Sequence, residues 1–300
     1  MEKTSSPPSD GSFAITIEKD SKALGDTEMA QKELKKIARE GVALAGGPAA
    51  ILLQIAHPKV GQGVADHSTL RTRAISRAQY TQMYIYCMIF GTPDEKAAMK
   101  MYVDKAHSRV KGGEGKDAYS AKDPELQLWV AATIYAAMVG MYELIYGPLP
   151  PAKAELVYQA FAVMGTSLQV TREMWPEDLK AFKLYWKDMI ENHLEVTPAA
   201  RRVLHDVMHP TGLPLWAKPM ALAAMPLVRP ITIEQLPPST REQFGLKSTR
   251  TSRAIGGLFI SGMSCVYPFT PRFIRTLPKT YSMRLMRKRM ARRGGQLIKP

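Results

Sequence analysis

Between Glu28 and Met208 the apolar positions return every three or four residues, the period of a helix that turns one face inward. The pattern predicts helices over roughly 28–45, 48–56, 75–90, 94–111, 124–146, 152–168, 176–193 and 197–208. Start signals agree with it. Thr92-Pro93-Asp94-Glu95 offers a capping threonine, proline at the first helical position and glutamate three residues after the cap. Asp123-Pro124-Glu125 and Thr197-Pro198 repeat the cap-then-proline device. No run of alternating strands joined by Asn-Gly or Asp-Gly turns interrupts the series, and no internal repeat is present. The expected class is all-α.

Two apolar stretches test whether any of these helices crosses a membrane. LQLWVAATIYAAMVGMY, between Glu125 and Glu143, is charge-free but about one bilayer span at most, and its small residues suit a central core helix. LPLWAKPMALAAMPLVRP, residues 213–230, is cut by four prolines and two cations, so one spanning helix is not expected there, although the stretch can lie against a membrane. Residues 1–27 are polar, carry Ser5-Ser6-Pro7-Pro8 and lack the apolar core of a secretory signal, so they are expected to be unstructured. The expected organisation is a helical domain over 28–245 and an extension over 246–300.

Charge sharpens that division. The chain carries +14, and from Ser239 to Pro300 fourteen Lys or Arg face one acid, Glu242, which leaves +1 for everything before. The basicity belongs to a tail, so no nucleic-acid partner is expected for the domain. Within the tail, RLMRKRMARRG (284–294) sets Leu285, Met286 and Met290 among six cations. The expectation is shallow, salt-sensitive docking of residues 279–300 on an anionic membrane surface. Cys87 and Cys265 form no metal pattern and suit a reducing compartment, so an intracellular protein is expected, cytoplasmic or peripherally membrane-associated.

Candidate chemistry is sparse. His205 and His209 lie four apart, as in the zinc motif H-E-x-x-H, but Asp206 replaces the glutamate and Pro210 ends the helix. Histidines there are favoured by the helix dipole without any metal. KGGEGKD (111–117) lacks the phosphate-loop spacing and a preceding strand, and is expected to be a flexible loop. No Glu-x-x-His pair exists for a di-iron bundle. His107 borders an expected apolar stripe of Met99, Val103, Ala106 and Val110. A neutral imidazole there either hydrogen-bonds a carbonyl or ligates a metal. Arg77 and Thr81 share a helical face with Tyr84 and Met88, and an arginine on an apolar face calls for an anion.

Five stretches together carry a resemblance: GGPAAILLQIAHP (46–58), VADHSTLRTR (64–73), Arg77-x-x-x-Thr81, AHSRVKG (106–112) and YSAKDPELQLWVAAT (119–133). In order and spacing, from about Gly46 to Leu246, the chain resembles the latex-clearing-protein (rubber oxygenase) superfamily, which includes a fungal oxygenase of the mycophenolic acid pathway. The resemblance implies a globin-like helical core with additional helices, holding haem b. It maps the axial histidine to His107 and the Arg-x-x-x-Thr motif to Arg77 and Thr81. It implies oxidoreductase chemistry with dioxygen on an apolar small molecule. In the rubber-cleaving enzymes the residue before that threonine is a lysine able to close the distal haem face. Here it is Tyr80, which departs from rubber cleavage and makes Tyr80 the distal candidate. His57 and His67 also lie in shared motifs, where a helix stop at His57-Pro58 and a cap near Asp66 are the structural expectations. The rival reading is a non-catalytic helical protein that binds haem or lipid and docks through its basic tail.

Overall fold

A computed structural model describes residues 27–67, 70–208 and 218–297, with the backbone alone for 70–77, 218 and 220–221. Among the described residues the regular elements are helices apart from one two-stranded hairpin, so the class is all-α. Helix α1 (27–38) leads through a 3-10 turn at Gly41–Gly46 into α2 (Gly47–Ala56). Pro58 excludes the helical conformation at His57, which is extended (φ −74°, ψ 122°) and caps α2. The chain therefore bends by 107° into α3 (Pro58–His67), the expected helix stop.

α4 (Leu70–Phe90) and α5 (Pro93–His107) form a helical hairpin across Gly91-Thr92. The capping box is present as predicted: Glu95 N–H donates to Thr92 Oγ1, and Thr92 N–H to the Glu95 carboxylate at 3.0 Å. At Gly91 a Cβ would stand 2.6 Å from the Cys87 carbonyl oxygen, so so tight a turn requires glycine. α5 stops at His107, earlier than the sequence pattern suggests, and the chain enters a hairpin of β1 (Lys111–Gly112) and β2 (Tyr119–Ser120). The expected flexible loop at 111–117 is thus one arm and turn of a paired element. Ala106 is exposed, and the buried stripe of α5 runs instead through Met99, with Tyr102 and Val103 packed beside it.

α6 (Pro124–Tyr146) is the centre of the molecule, as its small, apolar sequence predicts. It is long and apolar enough to cross a membrane, yet more than half of its most apolar window is buried in the fold. Gly46 lies so close that a Cβ there would meet the Ala137 carbonyl oxygen at 2.5 Å. Trp129 donates to the Leu53 carbonyl at 3.1 Å, and Tyr135 packs edge-on against Tyr158, Phe161 and Phe182. Burial of each such ring contributes about 1.5–3 kcal/mol. The ring partners come from α7 (Pro151–Phe161) and α9 (Leu179–Asp188), either side of the short α8 (Val163–Thr166). A π-turn at Met189–His193 continues α9, and α10 (Pro198–Met208) packs on α3.

α11 (Lys218–Glu234) runs through Pro226 and Pro230 and is not among the described helices long and apolar enough to cross a membrane. Each interior proline costs about 3 kcal/mol. Packing of Pro230 against Gly256 of α13 (Arg250–Val266) shows what offsets it. Between them lies α12 (Pro238–Phe244), and after α13 come a 3-10 turn at Tyr267–Phe269, α14 (Arg272–Arg275) and α15 (Leu277–Ala291). α15 lies on α4 and buries Met283 and Met286, with Leu285 and Met290 packed beside them. The apolar strip expected to enter a membrane at 284–294 therefore faces the core, which shields Met286 completely.

Candidate functional site

The α4–α5 hairpin holds the residues that sequence reasoning singled out. The Tyr80 and Tyr102 rings stack with centroids 4.6 Å apart and 16° between planes, which fixes the register of the two antiparallel helices. Arg77 lies one turn further from the loop than Tyr80 on α4, and α5 ends at His107. The Arg77 side chain lies outside the described part of the molecule. Thr81 is exposed, whereas Tyr84, Ile85 and Met88 below it are buried. His107 is half-buried, and its Nδ1 has no solvent-exposed surface.

Tyr80 has two further contacts. Arg289 of α15 places its guanidinium 4.6 Å from the Tyr80 ring centroid, and its Nη2 donates to Gln79 Oε1 at 3.2 Å. Burial, then a hydrogen bond from its hydroxyl to Tyr80, pushes the Tyr102 hydroxyl above the ordinary phenol range. Tyr80 is thus tied into a three-layer stack of α5, α4 and α15.

Polar bonds that the sequence did not disclose anchor the same end of the hairpin. Tyr84 donates to the Met164 carbonyl at 2.6 Å and lies 2.8 Å from Ser167 Oγ. Asp104, one turn before His107, accepts from Gln169 Nε2 at 2.8 Å, and Gln169 is bonded in turn to the buried Gln127 of α6. On the other side, Val110 N–H donates to the His107 carbonyl at 3.0 Å, and Val110 O accepts from Ala121 N–H at 2.8 Å. The β-hairpin is pinned to α3 by Tyr119, which donates to Asp66 Oδ2 at 2.7 Å, while His67 Nε2 sits 3.2 Å from the Lys111 carbonyl oxygen. Hydrogen bonds from Gln62 and Tyr119 hold the Asp66 carboxyl below its ordinary range. Asp66 and Tyr119 both lie in motifs already marked by sequence, and that co-occurrence was the available signal.

The remaining histidines stand apart from this frame. His57 is half-buried, with Nδ1 shielded and unpartnered; burial, then the nearby His193 and Lys59, lower its pKa. His205 is exposed, with Nδ1 3.7 Å from Asp206 Oδ1. His209 lies outside the described residues. Among the described residues no three His, Cys, Asp or Glu side chains converge on a point that could hold a bare metal ion. A largely apolar cleft of about 360 Å³ opens between α2, α6 and α9, lined by Leu53, Ala137, Gly140 and Trp186 among others. None of its lining residues belongs to α4 or α5, so it does not coincide with the hairpin site.

The chain belongs to the family described as ER-bound oxygenase mpaB/B'/Rubber oxygenase, catalytic domain, whose model matches residues 34–264. Two mycobacterial relatives, from Mycobacterium bovis and Mycobacterium tuberculosis, are each 38% identical over 173 residues, spanning 56% of this chain and 68% of theirs. Both are described as uncharacterized proteins. No solved structure matches the chain.

Proposed function

We propose that the protein is a haem b-dependent oxygenase that uses dioxygen on an apolar small molecule. What supports this reading is the family match over residues 34–264, together with the placement of Arg77 and Thr81 on α4 and of His107 at the end of α5, the two helices of one hairpin. The donor set suits haem better than a bare ion. A porphyrin brings four nitrogens of its own and asks the protein for an axial ligand, which one imidazole supplies. Bound haem supplies the iron that activates dioxygen, while the protein sets the axial ligand, polarity and access.

In this reading His107 would hold the haem iron, and the anchors at Asp104 and Val110 limit how far its helix turn can shift. Arg77 would pair with a propionate, for which a planar guanidinium fork is suited. Thr81 offers a hydroxyl on the same face of α4. Tyr80, in the place of the lysine, is the distal candidate, and its stack on Tyr102 restricts the reach of its hydroxyl. The rubber oxygenase named in the family description supports an apolar substrate class.

The test is spectroscopic. Purified or haemin-reconstituted protein should show a Soret band of a histidine-ligated haem and consume dioxygen with a substrate present. His107→Ala should keep its helical circular dichroism but lose the band, and added imidazole should restore part of it. A wild-type spectrum in His107→Ala, or reconstituted wild type without a histidine-ligated signature, overturns the reading.

A further inference from the structure

A ridge of outward-facing apolar side chains runs along the last part of the chain. Among the described residues, eight of the fourteen exposed large apolar side chains fall between Ile255 and Tyr281, too dense a run for scattered surface residues. On α13 the outward stripe is Ile255, Leu258 and Val266, with Leu258 77% exposed. A different face of the same helix holds it to the fold: Gly256 meets Pro230, and Ile260 and Met263 pack with Met141, Ile145 and Val42. The chain then presents Phe269 at 86% exposure and Phe273 at 70%, followed by Ile274, Leu277 and Tyr281. α15 likewise buries its opposite face, through Ser282, Met283 and Met286. The ridge is therefore surplus to the packing of the helices that carry it.

Its charge setting is one-sided. From Gln243 to Pro300 there is no Asp or Glu, against thirteen Lys or Arg. Arg250 and Arg253 head α13, Arg272 stands just before Phe273, and all three are exposed. Arg284 and Lys288 continue the Leu277–Tyr281 stripe of α15 by one and two further turns, also exposed.

We propose that this ridge docks the protein on an anionic lipid bilayer, its apolar side chains entering the headgroup boundary while the flanking cations stay among the phosphates. Apolar side chains beside unopposed Lys and Arg are what an interfacial, non-spanning contact requires. α13 has 17 residues and one face committed to the fold, so the contact is shallow. A second copy is a poor occupant, because a symmetric pairing would set an acid-free cationic segment against itself. From Cys265 onward the ridge lies beyond the family-matched residues 34–264, whereas Ile255 and Leu258 lie within them.

The ridge carries its own reporter. Cys265 is exposed on it, whereas Cys87 is buried and its thiol is pushed up to about 12 by that burial, so a thiol-reactive, polarity-sensitive fluorophore labels Cys265 selectively near neutral pH. With vesicles of phosphatidylcholine and phosphatidylserine, the labelled full-length protein should brighten and shift to the blue. Pure phosphatidylcholine should give a weaker response, and added salt should reduce the response to the anionic vesicles. Phe269→Ser with Phe273→Ser keeps every cation and, since both rings are exposed, should leave the thermal melt unchanged. It should lower vesicle partitioning at least about tenfold. Unchanged partitioning of this variant would leave charge alone as the cause and overturn the proposal. So would wild type that shows no blue shift, or that dimerises without lipid through the two phenylalanines, which would assign the ridge to a second copy.

Discussion

Arg275 and Glu40 lie 235 positions apart in the chain, yet Arg275 Nη1 donates to Glu40 Oε2 at 2.9 Å in a largely buried site. The Tyr146 hydroxyl joins the pair, accepting from Arg275 at 2.7 Å and donating to Glu40 at 3.1 Å. The basic C-terminal segment is thereby fastened to the start of the helical domain. Removing the carboxylate strands a partly buried guanidinium. Glu40→Ala is expected to cost about 3–5 kcal/mol, against about 1.5–3 kcal/mol for Tyr146→Phe, whose hydroxyl bonds both charged groups. Urea unfolding measures both. Equal, small losses would mean that water replaces Glu40 at no cost.

Tyr119 and Asp66 join the β-hairpin to α3, and the hairpin starts four residues after His107. Tyr119→Phe should destabilise the fold by about 1–2 kcal/mol, since its partner is a charged acceptor. The bond also sets a pH dependence. Asp66 has a lowered carboxyl pKa in the folded protein, so the stabilisation is complete above the reference value of 3.8 and is lost as pH falls through the lower folded value. The gap between wild type and Tyr119→Phe should therefore narrow only below pH 3.8. A gap already closing near neutral pH would place the coupling on another group.

Much of this frame was legible in the sequence because it is local. Thr92-Pro93-Asp94-Glu95 states a helix start, His57-Pro58 a stop, and the stretch between Glu125 and Glu143 a buried helix, and all three occur as expected. The register of α4 on α5 was not legible, since a single ring pair, Tyr80 on Tyr102, sets it. The tail misled for a similar reason. Leu285, Met286 and Met290 suit a membrane or a protein core equally well, and contact with α4 decides between them. Pro226 and Pro230 lie inside α11, and Pro230 packs beside Gly256 of α13.

His57 offers a second pH test. Burial, with His193 and Lys59 nearby, lowers its pKa below 6.5 in the folded protein, so the unfolded chain binds the additional proton first. Stability from this residue is complete above pH 6.5 and falls as pH drops toward the folded value. Between pH 7.5 and 5.5 the unfolding free energy of wild type should decline, and His57→Gln should flatten that decline. Parallel curves would exclude His57 as the source.

The stack of Tyr102, Tyr80 and Arg289 links the C-terminal helix to the candidate haem site, and a double-mutant cycle can weigh that link. A cation over a partly desolvated tyrosine contributes about 0.5–2 kcal/mol. Arg289→Met keeps most of the packing bulk, and Tyr80→Leu removes the ring face. The two substitutions should therefore show a coupling of about 1 kcal/mol rather than add. Tyr80→Phe separates stack from hydroxyl, because it retains the ring contact with both neighbours. It loses the acceptor for the Tyr102 hydroxyl, so its stability should fall by about 1 kcal/mol, and a changed haem spectrum in that variant would point to the hydroxyl. Arg289→Met should speed haem loss severalfold with a small change in melting temperature, because α15 braces the turn next to Thr81. Coupling near zero, with haem loss unchanged, would show that α15 lies on the hairpin without steadying it.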